Sequence, residues 1–240
     1  MKDYSENKLH CYKRWIAYPC AAVIILGLLV SCLPTRYSLP HVPARIESIE
    51  GYGTLRLTGS EGTSKIKFSF LFLLPHKGRI ESFDVLGRSL YYILIDSEKS
   101  FFVLPSKRVY WEGEVEEIIY RSLGFSLNQY EMVSILSGEW RSDQKSSEIE
   151  RGFDSWNFKR DEKGRVIAGQ REELSFEIEE FFEDSRIARF LLFHHPRSEG
   201  RLKILKINFN QPLKSHAFVR SFLAEYQSKS WDDIEKILEK

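Results

Sequence analysis

From Lys65 to Leu74 the chain alternates. Ile66, Phe68, Phe70, Phe72 and Leu74 fall on one side, and Lys65, Lys67 and Ser69 fall on the other. A period of two over this length is the mark of a strand with one apolar and one wet face. A slip of one residue would turn every ring to water, so neighbouring strands must offer matching apolar rows. The same rhythm appears upstream, where Leu55 and Leu57 alternate with Thr54, Arg56 and Thr58 before the turn Gly59-Ser60-Glu61-Gly62. It returns in Leu174, Phe176 and Ile178, and in Leu205, Ile207 and Phe209.

Further strands are expected at about 79–83, 89–95, 100–104, 108–111, 156–158, 165–168 and 187–193, closely spaced and joined by turn signals. Asp84-Val85-Leu86-Gly87 is one such tip, with apolar residues where turn chemistry favours polar ones. Between the two strand series the period changes. Val115, Ile118, Ile119 and Leu123 share a helical face that Gly124 terminates, and a second helix is expected over 127–136, with Ser126 and Gln129 as its capping box and Gly138 as its stop. The polar stretch 141–152 reads as a loop. After the second series, Phe218, Phe222 and Tyr226 follow helical spacing, and Ser230 caps a last helix containing Ile234, Ile237 and Leu238. Strands that are not separated by helices pair antiparallel, so the fold class is α+β.

Ahead of this domain, Lys13-Arg14 precede an apolar run, Trp15 to Ser31, of 17 residues. The run ends in Leu29-Val30-Ser31-Cys32, which resembles the lipobox of bacterial lipoproteins. The resemblance implies a signal peptide over 1–31, diacylglycerol and palmitate on Cys32, a lipidated N-terminus and Pro-containing tether over 32–44, and a folded domain over 45–240. Two alternatives stay open. One is an ordinary cleaved leader; the other is an uncleaved anchor, for which 17 residues is the lower limit. All three export the domain.

The three cysteines (Cys11, Cys20 and Cys32) lie at or before that boundary. The domain therefore has no disulfide and no thiolate chemistry to draw on. The leader holds four basic and two acidic residues, which leaves the remainder formally at −1 from a total of +1. That balance gives no expectation of a one-signed field for nucleic acid or an anionic membrane.

Arg79, the tip Asp84-Val85-Leu86-Gly87, the connection Leu123-Gly124-Phe125-Ser126-Leu127 and Leu136-Ser137-Gly138 together resemble segments of the LolA/LolB family of lipoprotein carriers and outer-membrane receptors. Val85 and Ser126 stand where that family has proline, which points to a divergent member. The resemblance implies a strongly curved antiparallel half-barrel of about 10–11 strands with helices in its concavity, accepting the acyl chains of lipoproteins. It also implies a LolA-like periplasmic carrier as partner, and delivery to outer-membrane phospholipids at the periplasmic face. Inner-membrane anchoring is the alternative location. Val85 and Leu86 become the membrane-inserting loop, with Arg88 available to headgroup phosphates; the other possibility is a leucine folded back on the sheet.

Burying acyl chain is worth about 0.8 kcal/mol per methylene, or on the order of 12 kcal/mol for sixteen carbons, so a carrier needs an apolar cavity. Its candidate lining is Phe68, Phe70, Phe72, Val115, Ile118, Ile119, Leu174, Phe176 and Phe209. The same residues would equally serve a close-packed core. A second function class, an interaction module in envelope sensing or assembly that transports nothing, uses the same fold.

Chemistry is not expected. His194-His195 point to opposite faces of a strand and cannot grip one ion together. No phosphate loop, nucleophile elbow or zinc helix motif occurs. The reading is therefore of a protein that is not an enzyme, with no cofactor, no metal and no nucleic acid.

Overall fold

The computed structural model describes residues 42–60, 62–96, 99–140, 155–214 and 216–239. Cys32, the leader, most of the tether and the 141–152 loop lie outside the described residues. Residues 38–240 form a compact unit, which holds every strand among the described residues and both apolar clusters.

Two antiparallel meanders, with one short parallel strand added at an edge, make one open, curved sheet of twelve strands among the described residues. The first contains β1 (Ser48–Gly59), β2 (Gly62–Leu73), β3 (Lys77–Phe83), β4 (Ser89–Ile95), β5 (Ser100–Leu104) and β6 (Val109–Gly113). The second contains β7 (Asn157–Arg160), β8 (Val166–Arg171), β9 (Leu174–Phe181), β10 (Ala188–His195) and β11 (Ser198–Phe209). They join where the long strands β1 and β11 pair from Ile49↔Phe209 to Gly59↔Ser198, with a bulge at Tyr52/Gly53. Between the meanders lie α1 (Val115–Leu123) and α2 (Gln129–Ser137). At the end come β12 (Gln227–Ser228) and α3 (Trp231–Leu238).

The inner face bends around large rings that lie over glycines. Gly51 stands opposite Phe70 and Gly53 opposite Phe68 across β1/β2, Gly78 opposite Phe72 across β2/β3, and Gly169 opposite Phe176 across β8/β9. Each ring covers the strand that lacks a side chain: a Cβ at Gly78 would stand 2.8 Å from the Phe72 ring. A glycine in a strand normally weakens it, and covering it with a cross-strand aromatic recovers the loss while letting the sheet bend.

Three expectations change. The second helix is capped by Asn128, whose side chain accepts from Glu131 N at 2.9 Å, while Glu131 Oε2 accepts from Asn128 N at 2.8 Å. Ser126 and Gln129 do not form the box, because the shifted pair brings a carboxylate that other groups also need (below). The helical spacing Phe218/Phe222/Tyr226 is not a helix. Residues 221–225 form a 3₁₀ turn and the chain then adds β12 parallel to β6. A helix there would satisfy its own backbone and leave the β6 edge bare; instead Gln227 N donates to Arg108 O and Lys229 N to Tyr110 O, at 2.9 and 2.8 Å. Phe222, Leu223 and Tyr226 meanwhile pack on Leu94, Phe101 and Val103, forming a separate cluster on the outer face. The two-residue β12 also takes the strand total past the expected 10–11, and its brevity left no pattern to find.

Candidate functional site

Between the helices and the β1–β4 part of the inner face is a cavity of about 110 Å3, partly open to solvent. Phe68, Phe70 and Phe72 form its floor, Ile119 and Leu123 of α1 one wall, and Met132, Ile135 and Leu136 of α2 another. The lining is almost wholly apolar. Ser122 is the exception in name only, since its hydroxyl donates to Ile118 O at 2.7 Å inside the helix. Tyr91 also lines the space; burial pushes its phenol up, against the opposing pull of its hydrogen bond with Ser82, so it stays neutral.

Of the residues expected to line a cavity, Phe68, Phe70, Phe72 and Ile119 do so. Ile118, Leu174, Phe176 and Phe209 are buried in the same cluster without lining the space, and Val115 packs on it only partly buried. For Leu174 and Phe176 the difference is lateral. Across β7–β9 the inner face is filled by Trp140, Trp156, Phe158 and Phe176, with Trp140 stacked on Phe176 at 4.9 Å and Trp156 on Phe158 at 5.9 Å.

That filled half also pins α2. Glu131 is fully buried, receives the Trp156 indole N–H at 2.6 Å and pairs with Arg171, whose other nitrogen donates to Ser126 O at 2.7 Å. A buried charge is costly unless it is paired and hydrogen-bonded, and here the guanidinium pairs it while the capping and indole N–H groups bond both oxygens. At the far end of α2, Glu139 pairs with Arg186, and Gly138 sits against the Arg186 backbone. On α1 the polar ties are fewer and lie near the surface, Ser198 Oγ to Leu123 O at 3.3 Å and Arg197 to the Tyr120 hydroxyl, and the helix is held by buried Ile118 and Ile119 and by Arg121 over the Trp231 ring at 5.8 Å. The Glu131–Arg171–Trp156 triad was missed from sequence. Its signal in the sequence is Asn128-x-x-Glu131, a capping box two residues past Ser126-x-x-Gln129.

The β3–β4 tip is braced by its own hydrogen bonds and extends outward. Asp84 Oδ1 accepts from Leu86 N and Arg88 N at 2.8 and 2.9 Å, its Oδ2 accepts from Arg88 Nε at 2.7 Å, and Gly87 takes φ +79°. These bonds, led by the Arg88 backbone N–H, hold the Asp84 carboxyl below its ordinary value. Val85 and Leu86 are left 89% and 74% exposed, so the leucine does not fold back on the sheet. Arg88 is committed to Asp84 in this state and is not waiting free for a phosphate. His194 and His195 lie 3.9 and 3.8 Å from Glu199 and Glu173, two separate pairs. Among the described residues no cluster of three possible metal ligands occurs, and no helix is long and apolar enough to cross a membrane.

No family model matches the chain, and no curated protein matches it. Solved structures do. A DUF1329 family protein from Desulfovibrio piger superposes with a TM-score of 0.52 at 9% identity, covering 75% of this chain and 92% of that one. The two chains share a fold. A LolA superfamily protein from Nitrosomonas europaea gives 0.45 at 9% identity, covering 76% and 94%. A domain from Vibrio parahaemolyticus, described as outer membrane lipoprotein-sorting, gives 0.44 at 11%, covering 73% and 91%.

Proposed function

We propose that this protein is an envelope lipoprotein that binds the acyl chains of other lipoproteins between α1, α2 and the sheet, and releases them into the outer membrane from its periplasmic face. The observation that carries the proposal is the cavity, whose walls present no free polar group to a guest. The segments resembling the LolA/LolB family support it, as does the exposed Val85-Leu86 pair, which suits shallow insertion into a bilayer. Cys32 would anchor the domain to the membrane. A LolA-like carrier would hand over cargo, the half-barrel acting as receptor, and no step requires catalysis.

At about 110 Å3 the cavity is near the size of an engineered apolar cavity of about 150 Å3 that takes benzene, and far below a drug-sized pocket of about 300–1,000 Å3. As it stands it admits a few methylenes. A longer chain enters only if a wall retreats, and α1, with its few surface ties, is the wall that moves while α2 stays pinned. The small volume is also what favours the second reading, an interaction module on the same fold that carries nothing.

The test is saturable binding of a fluorescent fatty acid to residues 38–240. Met132→Trp, on the wall, fills the space and is expected to weaken binding by tenfold or more, on the order of two buried methylenes lost, with an unchanged circular dichroism spectrum. No saturable binding by the unmodified protein would leave only the interaction module.

A further inference from the structure

Although the chain is nearly neutral overall, strand register sorts its charges. On the outer face of β2–β1–β11, Arg56 stands directly between Lys65 and Arg201. In the next row Thr54 stands between Lys67 and Lys203, and in the row after that Tyr52, 48% exposed, stands between Ser69 and Lys206. The intervening residues Leu55, Ile66 and Leu202 turn inward to line the cavity, which fixes the direction of the cations. Like charges directly opposite across a sheet are destabilising, and the remedy of interleaved acids is scarce here. Only Arg201 finds one, Glu179 at 3.7 Å. Arg56, Lys65, Lys67, Lys203 and Lys206 make no ion pair among the described residues. The near-neutral total thus conceals a local run of cations on this face.

The patch adjoins the apolar tip. Lys67 pairs across β2/β3 with Phe83, the residue before Asp84, and the β1–β2 turn lies at the same end of the sheet as Val85-Leu86. Apolar residues flanked by cations and an exposed tyrosine match the depth profile of a bilayer surface, where acyl chains lie beneath phosphates. We propose that this outer-face cation patch binds the phosphates of anionic phospholipid headgroups, orienting the domain with the tip in the membrane. The inference rests on the membrane-contact part of the function proposed above, and names the lipid class it meets.

Residues 38–240 would be sedimented with phosphatidylcholine vesicles with and without phosphatidylglycerol, beside the variant Arg56→Gln/Lys65→Gln/Lys67→Gln. The three side chains are exposed, so the variant keeps its core. The unmodified protein is expected to prefer the anionic vesicles. The variant should bind them about a hundredfold more weakly in low salt, about fivefold per cation removed, and the gap should close as salt rises. Both proteins should bind fluorescent fatty acid equally and melt cooperatively. If the unmodified protein shows no preference for anionic vesicles, or the variant keeps that preference, the inference is overturned. Binding to polyglutamate but not to vesicles would also overturn it, by assigning the patch to an acidic protein. Failure of fatty-acid binding with the lipid preference intact would sink the carrier reading alone. Val85→Ser/Leu86→Ser, retaining the anionic preference while losing affinity for phosphatidylcholine, would separate tip from patch.

Discussion

Two hairpins in this sheet are built from one recipe. Asp84-Val85-Leu86-Gly87-Arg88 joins β3 to β4, and Asp161-Glu162-Lys163-Gly164-Arg165 joins β7 to β8. In each, the aspartate accepts from backbone N–H groups two and four residues on, and pairs with the arginine. The glycine at the fourth position has φ +79° in one and +75° in the other. The turn is thus made by Asp, Gly and Arg, and the middle pair is free to vary. One tip takes Glu-Lys, the ordinary solvated choice. The other takes Val-Leu, which the turn does not need and which no packing rewards, since both side chains are exposed. That contrast is the strongest internal argument that Val85-Leu86 serves a contact outside the domain.

The tips also differ in how they are moored. Arg165 donates to Ser185 O at 3.2 Å and lies 4.1 Å from the Phe181 ring, which ties its hairpin to β9 and the turn after it. Among the described residues the Arg88 side chain bonds only its own aspartate, and it stays largely in water. The Val-Leu tip is therefore braced within itself yet free of the body.

Exchanging the middle pairs should produce the largest effect. Val85→Glu/Leu86→Lys removes two apolar side chains worth roughly 1.5–3 kcal/mol each when buried in a membrane, and vesicle sedimentation should fall by about two orders of magnitude with no change in melting temperature. Retained binding would break the contrast. Next comes the mooring. Arg165→Ala should cost about 1–2 kcal/mol in urea unfolding, for a charged hydrogen bond and a cation–π contact. Arg88→Ala should stay within about 0.5 kcal/mol. Equal costs would mean the two hairpins are held alike.

Gly87→Ala and Gly164→Ala should each lose about 1 kcal/mol, and by matching amounts, because both adopt a left-handed conformation and a Cβ there meets nothing. The smallest effect concerns acid. The Arg88 backbone N–H chiefly lowers Asp84. For Asp161, desolvation pushes upward, but the Arg165 side-chain and backbone bonds outweigh it. Depressed carboxylates contribute stability above their unfolded value of 3.8. That contribution is lost as pH falls through the lower folded value. Asp84→Asn and Asp161→Asn should therefore flatten the acid end of the stability curve, visible as a smaller difference between melts at neutral pH and below 3.8.

Most strands were legible because a one-sided sheet writes its burial into the sequence every second residue. Ile66 to Leu74 could be nothing else, and the α1 face Val115/Ile118/Ile119/Leu123 was equally plain. The capping of α2 was misplaced because two plausible boxes overlap within six residues. What decided between them was Arg171, forty residues away, needing the Glu131 carboxylate. The stretch around Phe222 misled because three aromatic residues at helical spacing can equally cover a sheet when the chain must also close the β6 edge.

The candidate site divides in the same way. Its floor was readable, since Phe68, Phe70 and Phe72 alternate in a single strand. Leu174 and Phe176 carry the same signal, yet sit where tryptophans fill the inner face. Periodicity reports which face is apolar and cannot report whether that face is met by atoms or by space. By itself the sequence determined the α+β class, the inward rows and the apolar Val85-Leu86 pair at a hairpin tip, because these follow from local alternation and turn chemistry. Tertiary structure alone decided that Val85 and Leu86 stay exposed, that the cavity lies over β1–β4, that buried Glu131 ties α2 to Trp156 and Arg171, and that Arg56 lies between Lys65 and Arg201. The reason is register: residues far apart in the chain become neighbours only when β1 chooses its partners, and no local pattern encodes that choice.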